Sequence, residues 1–265
     1  MSRMAVVSKE QSSFFRKVAA AQHRILVVDY DGTLAPFNRN RQRAIPYSKI
    51  PDFLGRIMTS CGTRVIVLSG RAAHEVPPLL GLNPAPEIWG TNGIERLKTA
   101  FLYEEVHLND DALDALVRAE AQLEREGFRE HIEVKLAAVA LHWRGLPASQ
   151  IVDMRTKAYR ILEPLAVAPH LVLSEFEEGV EIRLSSANKG NALRSLLSDL
   201  DADVPVAYLG DDATDEDAFR VLNGRGLTVL VGPKYRFTAA QIWLKPPDEL
   251  LDFLTSWIAA CEGRR

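Results

Sequence analysis

Three short apolar runs that stop abruptly in polar clusters constrain this chain most. Ile25–Val28 runs into Asp29-Tyr30-Asp31-Gly32-Thr33, Arg64–Leu68 into Ser69-Gly70-Arg71, and Val206–Leu209 into Gly210-Asp211-Asp212-Ala213-Thr214-Asp215-Glu216-Asp217. A run of β-branched residues and leucine without polar alternation has no solvent face. It reads as a strand covered on both sides, the usual condition of a parallel sheet. Helical patterns at Ser48–Ser60, Ala72–Leu80 and Lys189–Leu200 separate such runs, and alternation of this kind predicts an α/β fold with helices on both faces. Open sheets of this class hold their ligands at the carboxyl ends of the strands, so the three polar clusters are expected on one edge.

The middle of the chain follows another pattern. Strands are expected over Tyr103–His107, His131–Leu136, Ala138–Arg144, Leu171–Ser174 and Val180–Leu184, with helices over Asp110–Glu126 and Ser149–Leu162. Paired strands with intervening helices suggest an α+β module. The expected organisation is a discontinuous core, 1–103 with 185–265, interrupted by an inserted domain over 104–184. With 265 residues the chain is long enough for one to two domains at roughly 150 residues each.

Composition removes several function classes. A net charge of -3 lacks the basic excess of a nucleic-acid binder, so no nucleic-acid partner is expected. Two cysteines, Cys61 and Cys261, cannot build a disulfide scaffold or a four-thiolate zinc site. The apolar runs fall far short of the ~20 residues of a membrane span, and no signal peptide stands out at the N-terminus. A cytoplasmic protein with no membrane partner is expected, and a monomer.

The acids carry the chemistry. Asp29 and Asp31 flank one residue, and neighbouring carboxylates need a cation, a shared proton or solvent. Mg²⁺ suits one or two carboxylates completed by waters and a phosphate, while Asp-Gly is also a common turn pair. Glu216 and Asp217 fit the first turn of a helix, where acids complement the dipole. That leaves Asp211 and Asp212, directly after a buried run, unexplained by capping. A hydroxyl at Ser69 and an ammonium at Lys189 could hold the oxygens of a phosphoryl group as charge builds there. Lys189 opens a helix, where a cation opposes the dipole, and this mismatch suggests a local purpose.

The run VVDYDGTLAPF at Val27–Phe37 resembles the first motif of the haloacid-dehalogenase (HAD)-type phosphatases. LSGR at Leu68–Arg71, Lys189, and LGDDATDEDAF at Leu209–Phe219 follow in the order of that superfamily. DYDGTLAPF, VLSGR, EIRLSSANKGNAL and YLGDDATDEDAF are similar to the trehalose-6-phosphate phosphatase family. The resemblance implies a Rossmann-like three-layer core with a parallel sheet and an inserted α/β cap of the C2B type. It implies Asp29 as nucleophile, Asp31 as general acid/base, and Ser69 and Lys189 on the phosphoryl group. Mg²⁺ would be held by Asp29, the main-chain carbonyl of Asp31, and Asp211, with Asp212 and Asp215 in support.

The resemblance also implies a small-molecule sugar phosphate as partner. Glu133 and Lys135, with Glu181 and Arg183, would read sugar hydroxyls, and His142-Trp143-Arg144 matches a later element of the cap. Gly70, Arg71 and Asn92 stand where the sugar phosphate would be held. Glu133 and Lys135, two apart on a strand, share a face that could equally be solvated. The chain departs from the family with Asn92 in place of a common histidine, Val134 between the cap Glu and Lys, and Leu184 in place of proline. Other readings stay open: a phosphatase for sucrose phosphate, a glycosyl-phosphoglycerate or a hexose phosphate, a phosphomutase, or a non-catalytic sugar-phosphate-binding module.

Overall fold

The computed structural model describes residues 9–38, 40–99, 102–105, 109–168, 170–176 and 178–263. The chain forms two compact units, Met1–Glu105 with Asn188–Arg265, and Val106–Ala187.

The first unit is built on an eight-stranded sheet. Its strands are β1 (Arg24–Val28), β2 (Thr63–Leu68), β3 (Glu87–Gly90), β4 (Glu95–Thr99), β5 (Leu102–Glu105), β10 (Val206–Gly210), β11 (Leu227–Val231) and β12 (Ile242–Leu244), in the order β12-β11-β10-β1-β2-β3-β4-β5. β12 through β3 run parallel, and β4 and β5 add antiparallel at one edge. Every residue of β1 is buried. Leu26 and Val28 join one core and Ile25 and Val27 the other, which is why the run needs no polar alternation.

The first core is closed by α1 (Lys9–Ala20), α2 (Ile50–Ser60), α3 (Val76–Leu80) and α8 (Asp248–Glu262). The second is closed by α6 (Lys189–Ser198) and α7 (Glu216–Leu222). The sheet is therefore the middle of three layers, the α/β architecture expected. Strand order reverses direction at β1, which lies between β10 and β2, so the crevice for a ligand falls at the end of β1.

The second unit is an antiparallel sheet of β6 (Ile132–Lys135), β7 (Ala138–His142), β8 (Leu171–Phe176) and β9 (Gly179–Leu184), ordered β6-β7-β9-β8. It packs with α4 (Asp110–Arg125) and α5 (Ala148–Ala166). Val180, Ile182 and Leu184 are buried, while Glu181 and Arg183 between them are half-buried, the alternation of a strand with one packed face.

Local boundaries differ from expectation for identifiable reasons. The helix expected over Ala72–Leu80 divides into a 3-10 turn at Ala73–Glu75 and α3, which starts at Val76 and carries Pro77-Pro78 in its first turn. The acids Glu216 and Asp217 do open a helix, α7, and a 3-10 turn at Ala213–Asp215 precedes it. The strand expected over Tyr103–His107 is Leu102–Glu105, and 106–108 lie outside the described residues.

Candidate active site

The polar clusters predicted at the strand ends meet in the first unit. Asp29 follows β1 directly, and its N–H donates to the Leu209 carbonyl at 2.8 Å, tying the end of β1 to β10. Asp29 is 4% exposed. The chain then turns through Gly32 at φ +85, where a Cβ would fall 1.9 Å from Asp211 Oδ2. Glycine is thus required twice, for the left-handed backbone and for the close approach of the Asp211 carboxylate.

Lys189 is the hub. Asn188 caps α6 by accepting the Asn191 N–H at 3.1 Å, which places Lys189 at the first helical position. Its buried ammonium donates to Asp29 Oδ1 at 2.7 Å and to Asp215 Oδ1 at 2.8 Å. Burial disfavours the charged amine, but the carboxylates of Asp215 and Asp29 outweigh it and hold its pKa well above the usual lysine value. The predicted mismatch with the helix dipole is answered here by two anions.

Asp215 is fully buried and saturated. It also accepts the Tyr208 hydroxyl at 2.6 Å on Oδ1, and the N–H groups of Asp211 at 2.9 Å and Asp212 at 3.0 Å on Oδ2. Oxygens of Asp29, Asp211 and Asp215 lie within 4.8 Å of one another. Both oxygens of Asp215 are filled by four donors, so Asp29 and Asp211 are the carboxylates with most to offer a cation. Burial pushes the Asp29 carboxyl up to about 7, opposed by Lys189 and reinforced by Asp215. Burial and the charges of Asp29 and Asp215 push Asp211 up to about 9. Crowded carboxylates with raised pKa values and only hard oxygen donors fit Mg²⁺, which would neutralise them.

Asp212 is exposed and caps the 3-10 turn by accepting the Thr214 N–H at 2.8 Å and the Thr214 hydroxyl at 2.6 Å. The protein packed around its carboxylate would raise its pKa, but the Lys189 charge and the Thr214 bonds bring it below the ordinary value.

Asp31 faces a different partner. Arg71 donates from Nε to Asp31 Oδ2 at 2.5 Å and from Nη2 to Oδ1 at 2.7 Å, a bidentate pair, and Nη2 also donates to the Arg41 carbonyl at 2.9 Å. The Arg71 side chain is 2% exposed and that of Asp31 30%. In this structure the Arg71 guanidinium, expected on the sugar phosphate, is engaged by Asp31. With the Asp31 carboxylate turned to Arg71, its main-chain carbonyl is the atom the resemblance leaves for a metal.

Ser69 is buried, and its hydroxyl accepts the Arg71 N–H at 3.2 Å. The Ser69 carbonyl accepts the Asn92 N–H at 2.9 Å, and Asn92 Oδ1 is 3.5 Å from a Cβ on Gly70, so Ser69, Gly70 and Asn92 form one corner. Asn92 has φ 54, a left-handed conformation that asparagine tolerates better than most residues. Beneath this corner Glu95, 4% exposed, accepts the Ala73 N–H at 2.9 Å and the Thr91 hydroxyl. Glu95 and Tyr208 hold parts of this site by hydrogen bonds, and the sequence does not single them out. Tyr208 is indistinguishable there from a core aromatic, and Glu95 stands at the end of the Gly-rich stretch Gly90–Glu95 with nothing in its spacing to mark it.

The remaining expected residues share one face of the second unit's sheet. Glu133 lies opposite Ala140, which lies opposite Glu181, and Lys135, Ala138 and Arg183 form the next row. Lys135 donates to Glu181 at 2.9 Å, His142 Nε2 lies 2.9 Å from Glu133, and Arg183 donates to the Ala187 carbonyl at 2.8 Å. Leu184 gives its N–H to the Ala137 carbonyl at 2.9 Å, a bond proline could not make.

Known proteins resemble this chain over most of its length. The family model described as trehalose-phosphatase matches residues 27–237. A protein named probable trehalose-phosphate phosphatase J from Arabidopsis thaliana is 29% identical, over 89% of this chain and 67% of its own length. Probable trehalose-phosphate phosphatase 9 from Oryza sativa is 30% identical, over 89% of this chain and 70% of its own. The solved trehalose-6-phosphate phosphatase of Aspergillus fumigatus shares the fold with a TM-score of 0.71 at 23% identity, covering 98% of this chain and 100% of that one. A haloacid dehalogenase-like hydrolase from Bacteroides thetaiotaomicron shares it with a TM-score of 0.61 at 17% identity, over 88% and 99% of the two chains. Matched from within β1 to the loop beyond β11, a span that takes in every acid gathered around Lys189, this chain belongs to the trehalose-phosphatase family.

Proposed function

We propose that this protein is a Mg²⁺-dependent phosphomonoesterase that hydrolyses trehalose 6-phosphate to trehalose and phosphate. The observation that carries the reading is the buried Lys189 ammonium bridging Asp29 and Asp215 at the switch point of the sheet.

In the first step an Asp29 oxygen attacks phosphorus, the bond from phosphorus to the sugar oxygen breaks, and Asp31 delivers a proton to that oxygen. Nucleophilic attack by a carboxylate leaves an aspartyl-phosphate and a neutral alcohol. In the second, Asp31 takes a proton from water, which attacks phosphorus and frees Asp29. Lys189 and Ser69 hold the phosphoryl oxygens, and Arg71 aims the Asp31 carboxylate as the base of the second step; for the first step Asp31 takes up a proton and leaves Arg71. Asp29, the Asp31 carbonyl and Asp211 would hold Mg²⁺, with Asp215 and Asp212 fixing their loop. When bound, the ion offsets phosphate charge that would otherwise repel the nucleophile. Glu133, Lys135, Glu181 and Arg183 read sugar hydroxyls as part of a cap over 104–184. On the same reading the protein works as a monomer in the cytoplasm.

Phosphate release should depend on Mg²⁺ and vanish in Asp29→Asn. A panel of trehalose 6-phosphate, sucrose 6-phosphate, a glucosyl-phosphoglycerate and glucose 6-phosphate tests the substrate. Preference for any of the last three by kcat/KM would replace trehalose 6-phosphate. Transfer of phosphate between sugar positions without release would indicate a mutase.

A further inference from the structure

Between β11 and β12 the chain returns through residues 232–241, and Arg236 in that loop reaches the acidic loop after β10. Its Nε donates to the Asp211 carbonyl at 3.0 Å and its Nη2 to the Asp212 carbonyl at 2.6 Å. Its Nη1 donates to Glu216 Oε1 and, at 3.2 Å, to the Phe237 carbonyl. The other Glu216 oxygen accepts the Ala239 N–H at 2.8 Å. One guanidinium thus joins the two acids after β10, the first residue of α7 and its own loop.

The N–H groups of the same two acids are already held, by Asp215 Oδ2. Asp211 and Asp212 are therefore gripped on their amide side by a buried carboxylate and on their carbonyl side by a guanidinium. Fixing both sides of this short segment fixes the direction of the Asp211 side chain, which already lies against Gly32. The arginine loop is itself anchored: Trp243 Nε1 donates to the Gly232 carbonyl at 2.9 Å, and the Tyr235 ring meets Trp243 edge-on at 5.6 Å.

We propose that Arg236 is a positioning residue for the cation site, setting the affinity for a divalent metal by orienting Asp211 and Asp212 through their main-chain carbonyls. The inference rests on the phosphatase reading above and adds to it a residue outside the four motifs. The Arg236–Glu216 ion pair is partly buried, and by itself it orients neither the Asp211 nor the Asp212 carbonyl. Four acceptors around a planar fork are a task for arginine that the single ammonium of lysine cannot reproduce. Groups that orient metal ligands typically change metal affinity by about 10- to 100-fold when removed.

The test is isothermal titration of Mg²⁺ into the metal-stripped full chain, with melting temperatures of the metal-free proteins alongside. Arg236→Ala should weaken Mg²⁺ binding by about 10-fold or more, and raise half-saturating Mg²⁺ for phosphate release to match, with the sugar-phosphate KM at saturating Mg²⁺ nearly unchanged. Arg236→Lys should recover only a minor part of the affinity. Glu216→Gln, which keeps both carbonyl bonds, should bind Mg²⁺ nearly as the natural protein does. Natural affinity in Arg236→Ala overturns the proposal, as does full recovery by Arg236→Lys. Should Arg236→Ala not fold, the Arg236→Lys and Glu216→Gln affinities decide. A natural protein that binds no Mg²⁺ and releases no phosphate would defeat the phosphatase reading itself, whereas a Mg²⁺-dependent natural enzyme indifferent to Arg236 defeats only this inference.

Discussion

On the proposed mechanism the Arg71–Asp31 pair governs one reaction step. Both nitrogen–oxygen contacts of the pair are short, so the Asp31 carboxylate has one orientation. Arg71→Ala should lower kcat by about 100-fold, because a misaimed base loses most of its advantage in the step that activates water. KM should move much less, and Arg71→Lys should not restore kcat, since an ammonium cannot hold both oxygens. Steady-state kinetics on both variants would show it, and an unchanged kcat would refute the aiming role. Asp29 and Asp211 set a pH dependence of stability. Their folded pKa values are raised from 3.8 to about 7 and about 9, so folding favours their protonated forms. The stabilisation from these two acids is full below the unfolded pKa and is lost as pH rises through the folded values. The metal-free protein should therefore lose stability between about pH 4 and pH 9, and Mg²⁺ should raise the melting temperature more at pH 8 than at pH 6, as the ion must displace those protons. Calorimetric scans at the two pH values would check both signs.

At the scale of elements, the turn after β1 bears directly on the site. Gly32→Ala would place a Cβ in a left-handed backbone at a cost of about 1–2 kcal/mol. It would also drive the new carbon into the Asp211 carboxylate. Stability should fall by at least that amount in chemical denaturation, and phosphate release should fall further than stability, because Asp211 is displaced. The two cores flanking β1 explain why the run Ile25–Val28 was legible: burial on both faces leaves a signature in composition. β4 and β12 were not legible. β4, with Glu95, Arg96 and Lys98, carries the polar residues of a sheet margin, and β12 is three residues long. Each exists because a neighbouring strand supplies its hydrogen bonds, which no local pattern records.

At the scale of the whole molecule, two units divide the work the proposal requires. On the proposed reading phosphoryl transfer falls to the first and sugar recognition to the second, so the two should be separable by substrate. Glu181→Ala removes an acceptor held by Lys135 on the polar face of the second unit's sheet. It should raise KM for trehalose 6-phosphate by about 10-fold, the effect of losing one charged hydrogen bond. Hydrolysis of p-nitrophenyl phosphate, which has no sugar, should stay near the natural rate. Equal losses on both substrates would contradict the division.

The sequence alone determined the α/β class, the strand ends where chemistry gathers and the family, because buried runs and ordered motifs are written in consecutive residues. It also named the acids, since carboxylates crowded directly after apolar strands repel one another unless a cation or a proton joins them. Tertiary structure decided their partnerships. Asp215 takes four donors, Lys189 bridges residues 160 and 26 positions away, Arg71 turns to Asp31 40 positions away, and Arg236 grips carbonyls 25 and 24 positions away. Each of these contacts depends on which strand ends lie side by side. That order is set by packing two cores against one sheet, and the spacing of residues along the chain does not record it.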